Sequence, residues 1–339
     1  MKPICLFFFY ALFLVRIEAQ TPGAAVRPCL DSVLNFAQQH ALKRNEVNWD
    51  SVRSLVYAKA AGAQNTSELG PAFSALLGAL GDDHGRVLYQ NNTIGFWYGE
   101  LKENQKTIDP NMWSAVQSGL YPARAVLLSD SVGYLRLPGL STGDNLQMAA
   151  EIRWHVNRLI DQGARCWIID LRGNGGGNIF PMLEGIGPLL GDGPIGSHRD
   201  PVERSEFPWS IRDGNFFYGE YEAVHLPNTM NVPKNARVAV LTSRYTASSG
   251  EMVAICFKTR PNTRFFGEKT GGMITITNWV QPCEDLTLTL AAAYCADRTG
   301  RIYREYVDVD ETVPFLITEE PNDDPAIKQA LSWLKQRGN

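Results

Sequence analysis

Basic charge is not in surplus here: 32 Lys and Arg stand against 36 Asp and Glu, for a net charge of −4. No long Lys/Arg run occurs either, so there is no electrostatic footprint for a phosphate backbone, and nucleic acid is not an expected partner. Histidine is sparse, five in all, with neither a His-x-x-x-His pair nor closely paired cysteines. That leaves no recognisable metal spacing, and no metal or cofactor is expected. Internal repeats and low-complexity tracts are absent. What the chain does have is 339 residues that are 44% hydrophobic and 20% charged, enough for a sizeable core and incompatible with disorder as the main state.

Long apolar runs are also missing, with one exception at the N-terminus. Lys2 precedes a nearly continuous apolar stretch over residues 4–15, followed by Arg16, Glu18 and Ala19. At about 12 residues it falls short of the roughly 20 needed to cross hydrocarbon, so it reads as a signal peptide over residues 1–19 and no stable membrane span is expected. The implied location is secreted or periplasmic. Beyond it remain Cys29, Cys166, Cys256, Cys283 and Cys295, an odd set in which at least one thiol stays free or pairs between chains. A Cys283–Cys295 bridge is disfavoured because residues 286–294 read as a strand, which holds its ends too far apart.

Residues 20–85 read as a small helical domain. Val33, Ala37 and Ala41 recur at helical spacing, Asp50 is placed to cap a second helix, and Ser67 a third through Phe73, Leu76, Leu77 and Leu80. Residues 86–122 form connecting strands and loop, with 103–119 too irregular to assign. From 123 to 339 strand and helix alternate: strands at 125–128, 132–137, 166–171, 237–242, 264–267 and 286–294, helices at 144–162, 248–259 and 325–337. The pattern is that of an α/β core. Within it, residues 191–222 are rich in Gly, Pro, Arg and aromatics, and read as an inserted loop or lid bordering the site.

Two strand ends carry chemistry. Ile169-Asp170-Leu171-Arg172-Gly173-Asn174-Gly175-Gly176-Gly177 runs from a buried strand into a glycine turn and then a helix. Glycines let backbone N–H groups approach a ligand, and a helix N-terminus adds partial positive charge, so this turn suits an anion or oxyanion. It is no nucleotide loop, since it lacks the closing Gly-Lys-Ser/Thr. In Thr246-Ala247-Ser248-Ser249-Gly250-Glu251 a serine again stands between strand and helix. There its Oγ can attack a carbonyl while the next N–H meets the oxyanion, although Ser248 and Glu251 also have the spacing of a capping box. A serine nucleophile needs a base, and His84, in Leu80-Gly81-Asp82-Asp83-His84-Gly85, ends a helix where reactive groups are commonly positioned.

These runs, with Gly133-Tyr134-Leu135-Arg136-Leu137 and Gly267-Glu268-Lys269-Thr270-Gly271-Gly272, come in the order of the motifs of the tail-specific (C-terminal processing) and tricorn-type serine peptidases, which the chain resembles over about residues 75 to 315. The resemblance implies a crotonase-like spiral α/β core. It also implies Ser248 as nucleophile and an oxyanion hole from the N–H groups of Ser249 and of Gly176 or Gly177. Tail-specific members use a lysine base where this chain has Met273, and they carry a PDZ domain for which there is no room. The chain is closer to the tricorn-type and interphotoreceptor-retinoid-binding-protein-like branch, whose motif before the core is similar to Leu80-Gly81-Asp82-Asp83-His84. His84 is then the base. The orienting acid in that branch maps onto Glu305 with a one-residue shift, and Asp297 is an alternative. The expected activity is hydrolysis of peptides or unfolded proteins through a Ser-His acyl-enzyme. An esterase on the same machinery and a non-catalytic ligand-binding homologue are the alternatives. Arg212 and Trp209 of the 191–222 segment are the candidate substrate-gripping residues.

Overall fold

A computed structural model describes residues 21–99, 108–129, 131–141, 143–227, 230, 232–318 and 320–336. The expected signal peptide lies outside the described residues. The catalytic candidates are distributed over two sheets. The first has six strands: β3 (Arg124–Leu128), β4 (Val132–Arg136), β5 (Cys166–Asp170), β10 (Val238–Thr242), β11 (Thr263–Gly267) and β14 (Glu311–Thr312), in the order β14-β11-β10-β5-β4-β3. All neighbours run parallel except the β3/β4 hairpin pair.

The alternation of side chains along a strand sends neighbours to opposite faces, and both faces are apolar because both are covered. Ile169 and Val240 pack with Val156, Leu183, Ile186 and Val253 from three helices, Asn145–Asp161, Ile179–Leu190 and Ser249–Phe257. Ile168, Ala239, Leu241 and Phe266 meet Ala326, Ile327 and Ala330 of the helix Pro325–Lys335 on the other face.

The second sheet, of eight strands, is antiparallel, in the order β2-β1-β13-β6-β7-β8-β9 with β12 also on β13. Its members are β1 (Arg86–Tyr89), β2 (Asn92–Phe96), β6 (Gly193–Asp200), β7 (Ser205–Arg212), β8 (Asn215–Tyr218), β9 (Tyr221–Glu222), β12 (Thr275–Cys283) and β13 (Leu286–Asp297). The helices Arg27–His40, Trp49–Lys59 and Gly70–Leu80 share a core with it, in which Leu30, Val33, Phe73 and Leu77 pack with Leu286, Leu288 and Leu290. A disulfide joins Cys29 of the first helix to Cys283 at the end of β12, across 254 residues. Cys166, Cys256 and Cys295 are free.

The structure corrects several expectations. Asn48, not Asp50, caps the second helix, by accepting the Ser51 N–H, and Ser67 lies in a 3-10 turn ahead of the third. The unassigned stretch before 119 contains a helix, Pro110–Gln117, capped by Asp109. Residues 191–222 are four strands, not a loop. Their pattern is obscured by Pro194, Pro208 and two glycines, but Asp213 and Gly214, both at positive φ, make the two-residue hairpin turn between β7 and β8.

Candidate active site

Strands β5 and β10 are adjacent and parallel, so their C-terminal ends finish on one edge and bring the glycine turn beside the serine turn. The two are fastened together by Ser243 Oγ donating to Arg172 O (2.6 Å), Thr246 Oγ1 to Leu171 O (2.8 Å), Ala247 N to Asn174 O (3.0 Å) and Ser249 Oγ to Gly177 O (2.6 Å). The approach is so close that a Cβ on Gly176 would lie 2.6 Å from Ser248 Cβ and 3.0 Å from its Oγ. Only glycine fits there.

Ser248 has φ +54° and ψ −125°, a conformation that costs a non-glycine residue energy and persists only when its surroundings over-determine it. The buried Glu251 carboxylate is one such constraint. It accepts the Ser248 N–H (3.1 Å), the Thr270 hydroxyl (2.5 Å) and the Gly272 N–H (2.9 Å). It therefore caps the helix, as its spacing suggested, and also ties it to the Gly267–Gly272 run.

The Ser248 hydroxyl is hydrogen-bonded to His84 Nε2 at 3.0 Å, across 164 positions of chain. The imidazole arrives from the turn between the helix Gly70–Leu80 and β1 of the second sheet. Asp82, buried, accepts the N–H groups of His84 (3.1 Å) and Gly85 (2.7 Å) on one oxygen and that of Ala291 in β13 (2.8 Å) on the other. Burial pushes its carboxyl up from the ordinary value, against the pull of those three N–H groups. His84 Nδ1 meets Thr275 Oγ1 at 2.9 Å. With Nδ1–H donating to that hydroxyl, Nε2 is left as the acceptor a general base requires.

Beneath the glycine turn, Asp170 is fully buried. It accepts Arg172 through Nε (2.9 Å) and Nη2 (2.8 Å), Tyr134 OH (2.6 Å) and Tyr121 OH (3.0 Å). Burial by itself would raise its pKa, but the Arg172 and Arg136 guanidiniums and the tyrosine hydroxyl hold it below the ordinary carboxylate value. This carboxylate braces the strand end from which the glycine turn departs.

Not every candidate comes together. Gly176 N–H is donated to Asn174 Oδ1 (2.9 Å), a side chain bonding its own backbone two residues on. By contrast, the N–H groups of Gly177 and Ser249 donate to no protein acceptor among the described residues. Glu305 is exposed and makes no hydrogen bond or ion pair among the described residues, so it does not orient His84. Asp297 is occupied in its own turn, accepting Thr299 N, Arg301 N and Tyr303 OH. Trp209 is 2% exposed and belongs to the core. Arg212 spends its guanidinium fork on Glu220, both contacts 2.9 Å, and stacks on Phe217. No residue of 191–222 lines the cleft over the glycine turn or the cavity behind His84; Trp209 and Phe216 of this segment are buried in the core instead, with Tyr218 packed against it. Thr275 was missed because a lone threonine at the start of a strand carries no local signal.

Among the described residues there is no cluster suited to a metal ion and no helix long and apolar enough to cross a membrane.

Residues 131–313 match peptidase family S41. The nisin-resistance protein of Lactococcus lactis subsp. lactis is 32% identical over 170 residues, 50% of each chain, so this chain spans about half the length of that curated relative. A lipoprotein from Streptococcus agalactiae superposes with a TM-score of 0.70 at 19% identity, covering 97% of this chain and 99% of that one. The photosystem II D1 C-terminal processing protease gives 0.55 at 15% identity, covering 86% and 93%. At these identities the structures share the fold.

Proposed function

The chain belongs to peptidase family S41, and we propose that it is a serine-type peptidase acting through Ser248 and His84 by an acyl-enzyme mechanism. The observation that carries this is the 3.0 Å contact between Ser248 Oγ and His84 Nε2, made at a strained backbone position on a helix N-terminus.

As Oγ attacks the peptide carbonyl, its proton passes to Nε2 and the C–O bond forms. The oxyanion is received by the N–H groups of Gly177 and Ser249. The proton on Nε2 then goes to the leaving nitrogen as the C–N bond breaks, and a water, deprotonated by the same imidazole, releases the acid product. Thr275 holds the ring in the tautomer that makes this possible.

The core over residues 123–339 is read as a crotonase-like spiral with no PDZ domain, preceded by the helical segment 20–85 and a connection over 86–122. The product class is peptide, from peptide or unfolded-protein substrates. A secreted or periplasmic location is supported by the apolar run over residues 4–15 and by the Cys29–Cys283 disulfide, which belongs in an oxidising compartment.

A fluorophosphonate probe with peptide mapping tests the mechanism. Label is expected on Ser248, lost in Ser248→Ala and slowed by about 100-fold or more in His84→Ala. Label on Ser249, or undiminished labelling of His84→Ala, would overturn it.

A further inference from the structure

The backbone of the glycine turn is tied down at almost every polar group. Asn174, wholly buried, accepts the Gly176 N–H on Oδ1 (2.9 Å) and donates from Nδ2 to Leu137 O (3.2 Å). The start of the helix Ser249–Phe257 packs against this side chain, since a Cβ on Gly250 would lie 2.8 Å from the same Oδ1. In a parallel bridge, Leu140 donates its N–H to Gly176 O (3.2 Å) and accepts the Asn178 N–H (2.7 Å). The Ser249 hydroxyl donates to Gly177 O at 2.6 Å. Left over is the Gly177 N–H. The peptide joining Gly176 to Gly177 is trans, so its N–H points opposite to a carbonyl that is directed at Leu140.

The turn has little stiffness of its own. Gly176 and Gly177 have φ of +107° and +109°, and without a Cβ neither residue resists rotation of the peptide between them. Turning that peptide over would present the Gly176 carbonyl where the oxyanion develops, replacing an attraction with a repulsion.

We propose that Asn174 and the hydroxyl of Ser249 are positioning residues that preset the oxyanion hole. Asn174 fixes the peptide on one side of the Gly176–Gly177 peptide and Ser249 fixes the peptide on the other, so neither neighbour swings to let it turn over. The inference rests on the Ser248–His84 reading above and adds to it a role for two side chains that do not touch the reacting atoms. Asn174 has no exposed surface and spends both its oxygen and its nitrogen on backbone. Ser249 acts twice. Its N–H is one donor of the hole, and its hydroxyl holds the carbonyl of the residue that supplies the other. One hydrogen bond thus couples the two donors, which stabilise an oxyanion only when both are directed at a single oxygen.

Hydrolysis of 4-nitrophenyl acetate and labelling by a fluorophosphonate probe test this, because both reactions place an oxygen in the hole and neither needs a side-chain pocket. Rates are expressed per site labelled at completion. Misfolding, which a purely structural role would produce, lowers the number of sites and not the rate per site. Ser249→Ala keeps the backbone N–H and is expected to lower kcat/KM for the ester and the labelling rate by the same factor, about tenfold. Asn174→Ala is expected to lower both by about 10- to 100-fold. The double variant should lose less than the product of the two, because both side chains act on one peptide. If Asn174→Ala does not fold, Ser249→Ala decides alone. Full rate per labelled site in Ser249→Ala, with the label on Ser248, overturns the proposal and leaves the mechanism standing. Absence of label on Ser248 in the unaltered enzyme overturns the mechanism, and the oxyanion hole with it.

Discussion

The half of the site that holds the proposed nucleophile, Ser248, and the half that holds the proposed base, His84, are built by different means. Ser248, Ser249 and the glycine turn stand at the ends of two adjacent parallel strands, β5 and β10. Each is presented by a strand, a short turn and a helix that are contiguous in the chain. His84 is placed by residues that are distant in sequence: Asp82 bonds the backbone of Ala291, 209 positions away, and Thr275 meets Nδ1 from 191 positions away. The nucleophile half is thus a local construction repeated on a common sheet. The base half exists only once the antiparallel sheet has closed around it.

Variants on the base half should separate the two. Thr275→Val keeps size and β propensity but removes the oxygen that meets Nδ1, and is expected to lower kcat by about 10- to 100-fold with KM little changed. Steady-state kinetics would check it. An unchanged kcat would mean that the turn held by Asp82 orients the ring unaided.

Cys29→Ser releases the clamp between the first helix and β12. A loss of about 2–5 kcal/mol in unfolding free energy is expected, read by denaturant titration. Hydrogen exchange should rise in residues 275–283 and stay unchanged in 238–257. Equal loosening of both segments would show that the halves unfold as one unit.

A smaller effect is expected remote from the site. Burial raises Glu184 to about 7 from an ordinary 4.5, against the Phe216 N–H and Arg153 that favour its charge. The folded state then holds a proton that the unfolded chain has released, so this group's contribution is complete below 4.5 and is lost as pH rises through about 7. Glu184→Gln should flatten that decline in stability. A slope unaltered between those pH values would assign the dependence to another group.

Much of the nucleophile half was legible beforehand. Ser248, Ser249 and the glycine turn announce themselves because a buried apolar strand, glycines with special backbone freedom and a helix start must follow one another directly. The His84 turn could be found by its residue types and by resemblance. Its orienting partner could not, and the search for an acid led to Glu305, which is exposed, while the structure supplies a threonine hydroxyl. The choice between Gly176 and Gly177 turned on where the Asn174 side chain goes, a detail of one turn.

Residues 191–222 and 110–117 show the same boundary from the side of the fold. The Asp213-Gly214 hairpin turn was present in the sequence, yet prolines and glycines masked the strands of this segment. Trp209 and Phe216 pack inward because β6 continues the sheet beyond β13, while Phe207 and Tyr221 stay exposed. The sequence by itself determined the alternating α/β core, the glycine and serine turns and the helices that follow them, since each depends on the periodicity and backbone chemistry of neighbouring residues. Only the tertiary structure decided the partner of His84, the pairing of Cys29 with Cys283 and the strand pairing of residues 191–222 beyond β13. Each of these depends on contacts between segments whose separation no local pattern encodes.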